Sequence, residues 1–105
     1  MTIFYGLHKS DKPDKKYFVE IESAAGNRKR IYFGDSASKD YTLHSPLERE
    51  ERKRLYIQRH SATEDWSASG KETAGFWAKH ILWNKPTVNA SLIDTKMRFG
   101  FKNPS

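Results

Sequence analysis

Polar and apolar residues alternate in the first third of the chain and recur at helical spacing in the last third. In Tyr17-Phe18-Val19-Glu20-Ile21, residues Tyr17, Val19 and Ile21 fall on one side and Phe18 and Glu20 on the other, the period-two pattern of a strand. Ser23 to Asn27 supplies turn residues, and Lys29-Arg30-Ile31-Tyr32-Phe33 resumes a β-rich run before Gly34, so residues 17–34 predict a hairpin. Ile3 to Tyr5 predicts a third, edge strand within an N-terminal arm, 1–16, that ends in a polar, proline-containing spacer. Two strands alone are marginal in water, so the hairpin has to lean on helices downstream.

Residues 45–100 supply those helices. Ser45-Pro46-Leu47-Glu48 reads as a helix start, with Ser45 as N-cap, Pro46 at the first helical position and Glu48 closing a capping box. Every residue from Glu48 to Arg54 is charged, and Glu48/Arg52 and Glu50/Arg54 have the spacing and order of favourable pairs, which predicts a solvated surface helix. Trp66 and Ser67-Ala68-Ser69-Gly70 mark a loop. Farther on, Phe76, His80 and Trp83 share one helical face with Trp77 and Ile81 beside them, the strongest apolar stripe in the chain. That helix is expected to end by Asn84 or Lys85, because the residue before Pro86 is pushed out of helical geometry. A last helix from about Thr87 to Phe99 puts Val88, Leu92, Ile93, Met97 and Phe99 near one side, with Gly100 as its stop. The expected core is Phe76, Trp77, Trp83, Leu92 and Phe99.

These elements predict an α+β fold, with the hairpin packed on two or three helices. The 105 residues suit one small domain. Hydrophobic residues are 36% of the chain and charged residues 30%, with three Trp, five Tyr and six Phe, too aromatic for a disordered protein. Cysteine is absent, which excludes disulfides, thiolate metal sites and cysteine nucleophiles. The N-terminus lacks a signal-peptide pattern and no run of eighteen apolar residues exists, so a soluble, unprocessed protein without membrane insertion is expected.

The formal charge of +6 favours an anionic partner. Arg28, Lys29 and Arg30 on the hairpin, and Arg49, Arg52, Lys53, Arg54 and Arg59 on the charged helix, are the candidate contacts to nucleic acid or another anion, with Tyr32 and Tyr56 available to stack on bases. Glu48, Glu50 and Glu51 interleave with the arginines, so the same residues also read as internal pairs on a solvated face. Trp66, in a polar loop beside Glu64 and Asp65, is the candidate interface anchor.

Enzymatic readings are weaker. Gly70-Lys71-Glu72-Thr73 lacks the upstream glycine of a phosphate loop and has Glu72 where a magnesium-binding hydroxyl belongs. His8, His44, His60 and His80 lack close paired spacing. Asp40, Glu64 and Asp65 as a cation site, or His60 with Tyr56 and Arg59 as a nuclease-like cluster, depend on a geometry that spacing does not fix. No catalytic or metal residue, no cofactor and no small-molecule substrate is expected.

The succession Ile31-Tyr32-Phe33-Gly34, Asp40-Tyr41-Thr42-Leu43-His44, Arg54 to His60, Trp66, Thr73-Ala74-Gly75-Phe76-Trp77, Leu82 to Thr87 and Ala90 to Asp94 resembles a family of small uncharacterised proteins of large double-stranded DNA viruses, of iridovirus and algal-virus type, and of some phages. That resemblance implies a viral setting and supplies no catalytic residues. It makes a non-enzymatic virion component, such as a minor capsid or cement-type protein, the leading expectation, located in the virion and, during assembly, in the host cell interior, with other virion proteins as partners. The alternative is a viral protein that binds or condenses double-stranded DNA. A small inhibitor of a host factor is a third class.

Overall fold

The computed structural model describes residues 2–104; Met1 and Ser105, the ends of the expected single domain, lie outside them. The fold is α+β, a three-stranded antiparallel sheet followed by helices. Strands β1 (Ile3–Lys9), β2 (Lys15–Glu22) and β3 (Arg28–Asp35) lie in chain order, so both connections are hairpins. The pairing Tyr17↔Phe33, Val19↔Ile31 and Ile21↔Lys29 sets one face, and Phe18↔Tyr32, Glu20↔Arg30 and Glu22↔Arg28 the other. The edge strand extends four residues beyond the expected Ile3 to Tyr5. A register shift between Phe4 and Gly6 breaks its alternation, which hid the strand, but Phe4 and Leu7 still pair with Ile21 and Val19 on the inner face. The chain's tail covers its outer edge, where the Phe4 N–H donates to the Lys102 carbonyl at 2.7 Å and the Lys102 N–H to the Thr2 carbonyl at 3.0 Å.

Helix α1 spans Arg49–His60, later than the sequence pattern suggests. Ser45 does not cap it and the capping box is not formed: residue 48 is the N-cap, without a side-chain bond. The Ser45 carbonyl instead accepts the N–H groups of Glu48 and Arg49, closing a preliminary turn, while the Glu48 carboxylate points to His44 at 3.7 Å. The two expected i,i+4 ion pairs are also absent. Tyr41 donates its hydroxyl to Glu50, and Arg54 pairs with Glu51 at i,i+3.

Helix α2 begins as one α-helical turn, Ala74–Trp77, capped by Thr73, whose hydroxyl accepts the Phe76 N–H, and continues as a π-helix over Ala78–Leu82. The wider turn breaks the expected common face. Phe76 and His80 still meet with ring centres 4.5 Å apart, whereas Trp83 turns away to stack on Tyr56 at 4.6 Å. Phe76, Trp77, Ile81 and Leu82 fill the core against Phe4, Val19, Ile21, Ile31 and Phe33. Trp83, Leu92 and Phe99 are half-buried at its margin.

Helix α3, Val88–Phe99, has Thr87 as N-cap and stops at Gly100 in the left-handed region. Its most buried residues are Ser91 and Thr95, and Thr95 donates its hydroxyl to the Ser91 carbonyl at 2.8 Å. Ile93 and Met97, expected with the apolar side, are 53% and 79% exposed. Each follows Ser91 or Thr95 by two positions, which is about 200° around a helix, so they lie on the opposite face.

Candidate functional site: a basic cleft beside α1

Arg52 and Arg59 are seven residues apart on α1, two turns, so both lie on one side with Leu55 and Tyr56 between them. That side closes a cleft of about 620 Å³. Its other walls are Lys16 at the start of β2, Gly34 and Asp35 at the end of β3, the loop carrying Ser38, Lys39, Asp40 and His44, and Ala78, Leu82 and Trp83 of the π turn and its end.

Buried polar contacts hold the loop in place. Asp40, 3% exposed, accepts the Lys16 ammonium at 2.6 Å and the backbone N–H and hydroxyl of Thr42. The Tyr41 N–H donates to the Leu82 carbonyl at 2.9 Å, which ties the loop to the π turn. Gly34 has φ +83°, and a Cβ there would stand 2.7 Å from Leu82 Cδ1, so glycine lets the sheet pass under this wall.

Behind the opening runs an aromatic stack. Trp83 and Tyr56 are nearly parallel, 10° apart in plane, His60 lies on Tyr56 with ring centres 4.4 Å apart, and His44 tilts against Trp83 at 6.1 Å. Burial, then the Glu64 carboxylate, pushes the Tyr56 phenol up to about 12, with Arg59 opposing. It therefore stays protonated at neutral pH, and the meeting of His60, Tyr56 and Arg59 provides no phenolate nucleophile.

Four cations, Lys16, Lys39, Arg52 and Arg59, face two carboxylates, Asp35 and Asp40. Lys16 is neutralised by Asp40. Asp35 is occupied by the Ala37 N–H and the Ser38 hydroxyl, which hold its carboxyl below the usual range. Among the described residues, Lys39, Arg52 and Arg59 have no carboxylate within 4.0 Å.

The hairpin cations differ. Arg28 pairs with Glu20 at 2.9 Å and lies over the Tyr5 ring, and Arg30 reaches Asp11 at 4.0 Å and lies over Phe18. Lys29 belongs to the other face, bound to Glu72 at 2.5 Å. On α1, Arg54 is paired with Glu51, Lys53 donates to the Asn84 carbonyl at 3.1 Å, and Arg49 lies over the Tyr41 ring at 5.6 Å. The eight cations read from sequence thus divide, and among the described residues only Arg52 and Arg59 both line the cleft and lack an acidic partner.

Trp66, the candidate interface anchor, is less exposed than its polar loop suggests. It is half-buried, stacked at 6.1 Å on Tyr56, with the Lys79 ammonium 5.5 Å above its ring and its carbonyl bonded to His80 Nε2 at 2.8 Å. Asp40, Glu64 and Asp65 are not brought together, and among the described residues no three acidic or histidine side chains are placed to hold a metal ion. Asp65 instead receives the Ser67 and Ser69 hydroxyls, and Glu64 packs where a Cβ on Gly75 would collide. Sequence reasoning missed Lys39, Lys16 and Leu55, which carried no motif.

The sheet, the loop and α1 of this cleft fall within a recognised family. The model of DUF5754, a family of unknown function, matches residues 5–60, just over half of the chain, and the protein belongs to that family. No curated protein and no solved structure matches it. Among the described residues no helix is long and apolar enough to cross a membrane.

Proposed function

We propose that this protein is a non-enzymatic nucleic-acid-binding protein whose phosphate contacts come from the cleft beside α1. The observation that supports it is the concentration of Lys39, Arg52 and Arg59, without carboxylate partners among the described residues, around one concave site. Cations already held by a nearby acid gain less from a phosphate, because the existing pair has to be given up. The reading therefore narrows the contact surface from the hairpin and the whole of α1 to the cleft side of α1 and the facing loop. Affinity for nucleic acid is expected to fall steeply with salt, and Arg52→Gln with Arg59→Gln to flatten the log–log salt slope by about one unit per lost contact. Arg28→Gln with Arg30→Gln is expected to change the slope less. Fluorescence anisotropy at several salt concentrations reads both, and absence of binding at low salt would remove this function.

A virion shell component is the second reading. Leu47, Ile93 and Met97 favour it, being 96%, 53% and 79% exposed and available to a neighbouring protein. Mass spectrometry of purified particles before and after genome release separates the two: retention with the shell supports the structural role, and loss with the genome supports nucleic-acid binding.

A further inference from the structure

The cleft is not uniformly basic. Leu55, 39% exposed between Arg52 and Arg59, and the half-buried Trp83 supply apolar surface, while Arg52 and Arg59 stand about 10 Å apart along α1 and Lys39 stands on the loop. Its volume of about 620 Å³ lies within the range of roughly 300 to 1,000 Å³ typical of small-ligand pockets. A duplex keeps its bases inside the stack and would present only backbone here, leaving the apolar wall wet. An unpaired nucleotide has both parts, a flat weakly polar base and a phosphate, and matches both kinds of surface.

We propose that the cleft holds one unpaired nucleotide, its base against Leu55 and Trp83 and its phosphate between Arg52, Arg59 and Lys39. This rests on the nucleic-acid reading and deepens it: the preferred ligand is a single strand or a strand end. Because every base has an apolar face, sequence preference is slight. The arginines recognise the phosphate in DNA and RNA alike, and no 2′-hydroxyl contact is assigned.

The test is competition on the intact chain. Labelled deoxythymidine and uridine oligomers and a DNA duplex of equal length are titrated in parallel, and adenosine 5′-monophosphate, adenosine and inorganic phosphate are then used as competitors. Single strands of either sugar are expected to bind at least ten-fold tighter than duplex, and the monophosphate to displace them better than adenosine or phosphate alone. Leu55→Gln, at a partly exposed position that is not needed for the core, is expected to weaken monophosphate binding about five-fold, and by more than it weakens duplex binding. Arg52→Gln with Arg59→Gln is expected to weaken monophosphate binding at least ten-fold, with circular dichroism showing an unchanged fold. Equal affinity for duplex and single strand, without competition by the monophosphate, would overturn this inference and leave the nucleic-acid reading standing. Absence of binding to every polymer would overturn that reading as well.

Discussion

Trp77→Ala is expected to unfold the isolated domain or bring it to the edge of unfolding. Trp77 is fully buried, with its ring 5.9 Å from Phe4, 5.2 Å from Phe76 and 5.4 Å from Phe101, and its indole N–H donates to the Lys71 carbonyl at 2.7 Å. It joins α2 to the sheet and to the C-terminal tail, so truncation empties the place where three parts of the chain meet. Truncating a buried tryptophan typically costs about 3 to 5 kcal/mol, against a total stability of roughly 5 to 15 kcal/mol for a domain. Trp77→Phe keeps most of the ring contacts but leaves the Lys71 carbonyl without its donor, a loss of about 1 to 3 kcal/mol. Urea denaturation of the three proteins should rank them wild type, Trp77→Phe, Trp77→Ala. Coincident curves for wild type and Trp77→Ala would show that the side chain does not hold these parts together.

The elements that could be read from sequence are those with a uniform period. Residues 17–21 and 29–33 alternate without interruption and form β2 and β3. Thr87 and Gly100 bracket α3 because a cap and a left-handed glycine are local signals. Where the period changes, the reading failed for a physical reason. One extra residue per turn over Ala78–Leu82 leaves no mark in composition, yet it rotates Trp83 out of the Phe76 face and onto Tyr56. The charges on α1 were legible as charges but not as pairs, because Tyr41, far from them in helical spacing, takes the Glu50 carboxylate. The cleft could not be read at all, since its walls come from separate segments and its key property is which cations lack a partner.

His80 is expected to make the protein acid-sensitive. It is 3% exposed, between Phe76 and Phe99 with ring centres 4.5 and 4.9 Å away, and burial pushes its pKa down to about 4. The bond from Nε2 to the Trp66 carbonyl works the other way, and the neighbouring Lys79 and Arg98 charges reinforce the lowering, with Asp94 opposing. Because a carbonyl only accepts, Nε2 carries the proton of the neutral ring, and Nδ1 is buried without a partner. An unfolded chain protonates this histidine near 6.5, so between about pH 6.5 and 4 the unfolded state binds more protons. Stability is therefore complete above pH 6.5 and falls as the pH drops towards 4, by about 3 kcal/mol for a shift of this size. The Asp94 and Asp65 carboxyls, both held below their ordinary values by hydrogen bonds, lose their contribution only at lower pH. His80→Leu removes the titrating group while keeping an apolar side chain between the rings. Its melting temperature is expected to vary less between pH 6.5 and 4 than that of the wild type, even though loss of the Trp66 bond lowers it at pH 7. Parallel pH profiles for the two proteins would show that protonation of His80 is not what acid acts on.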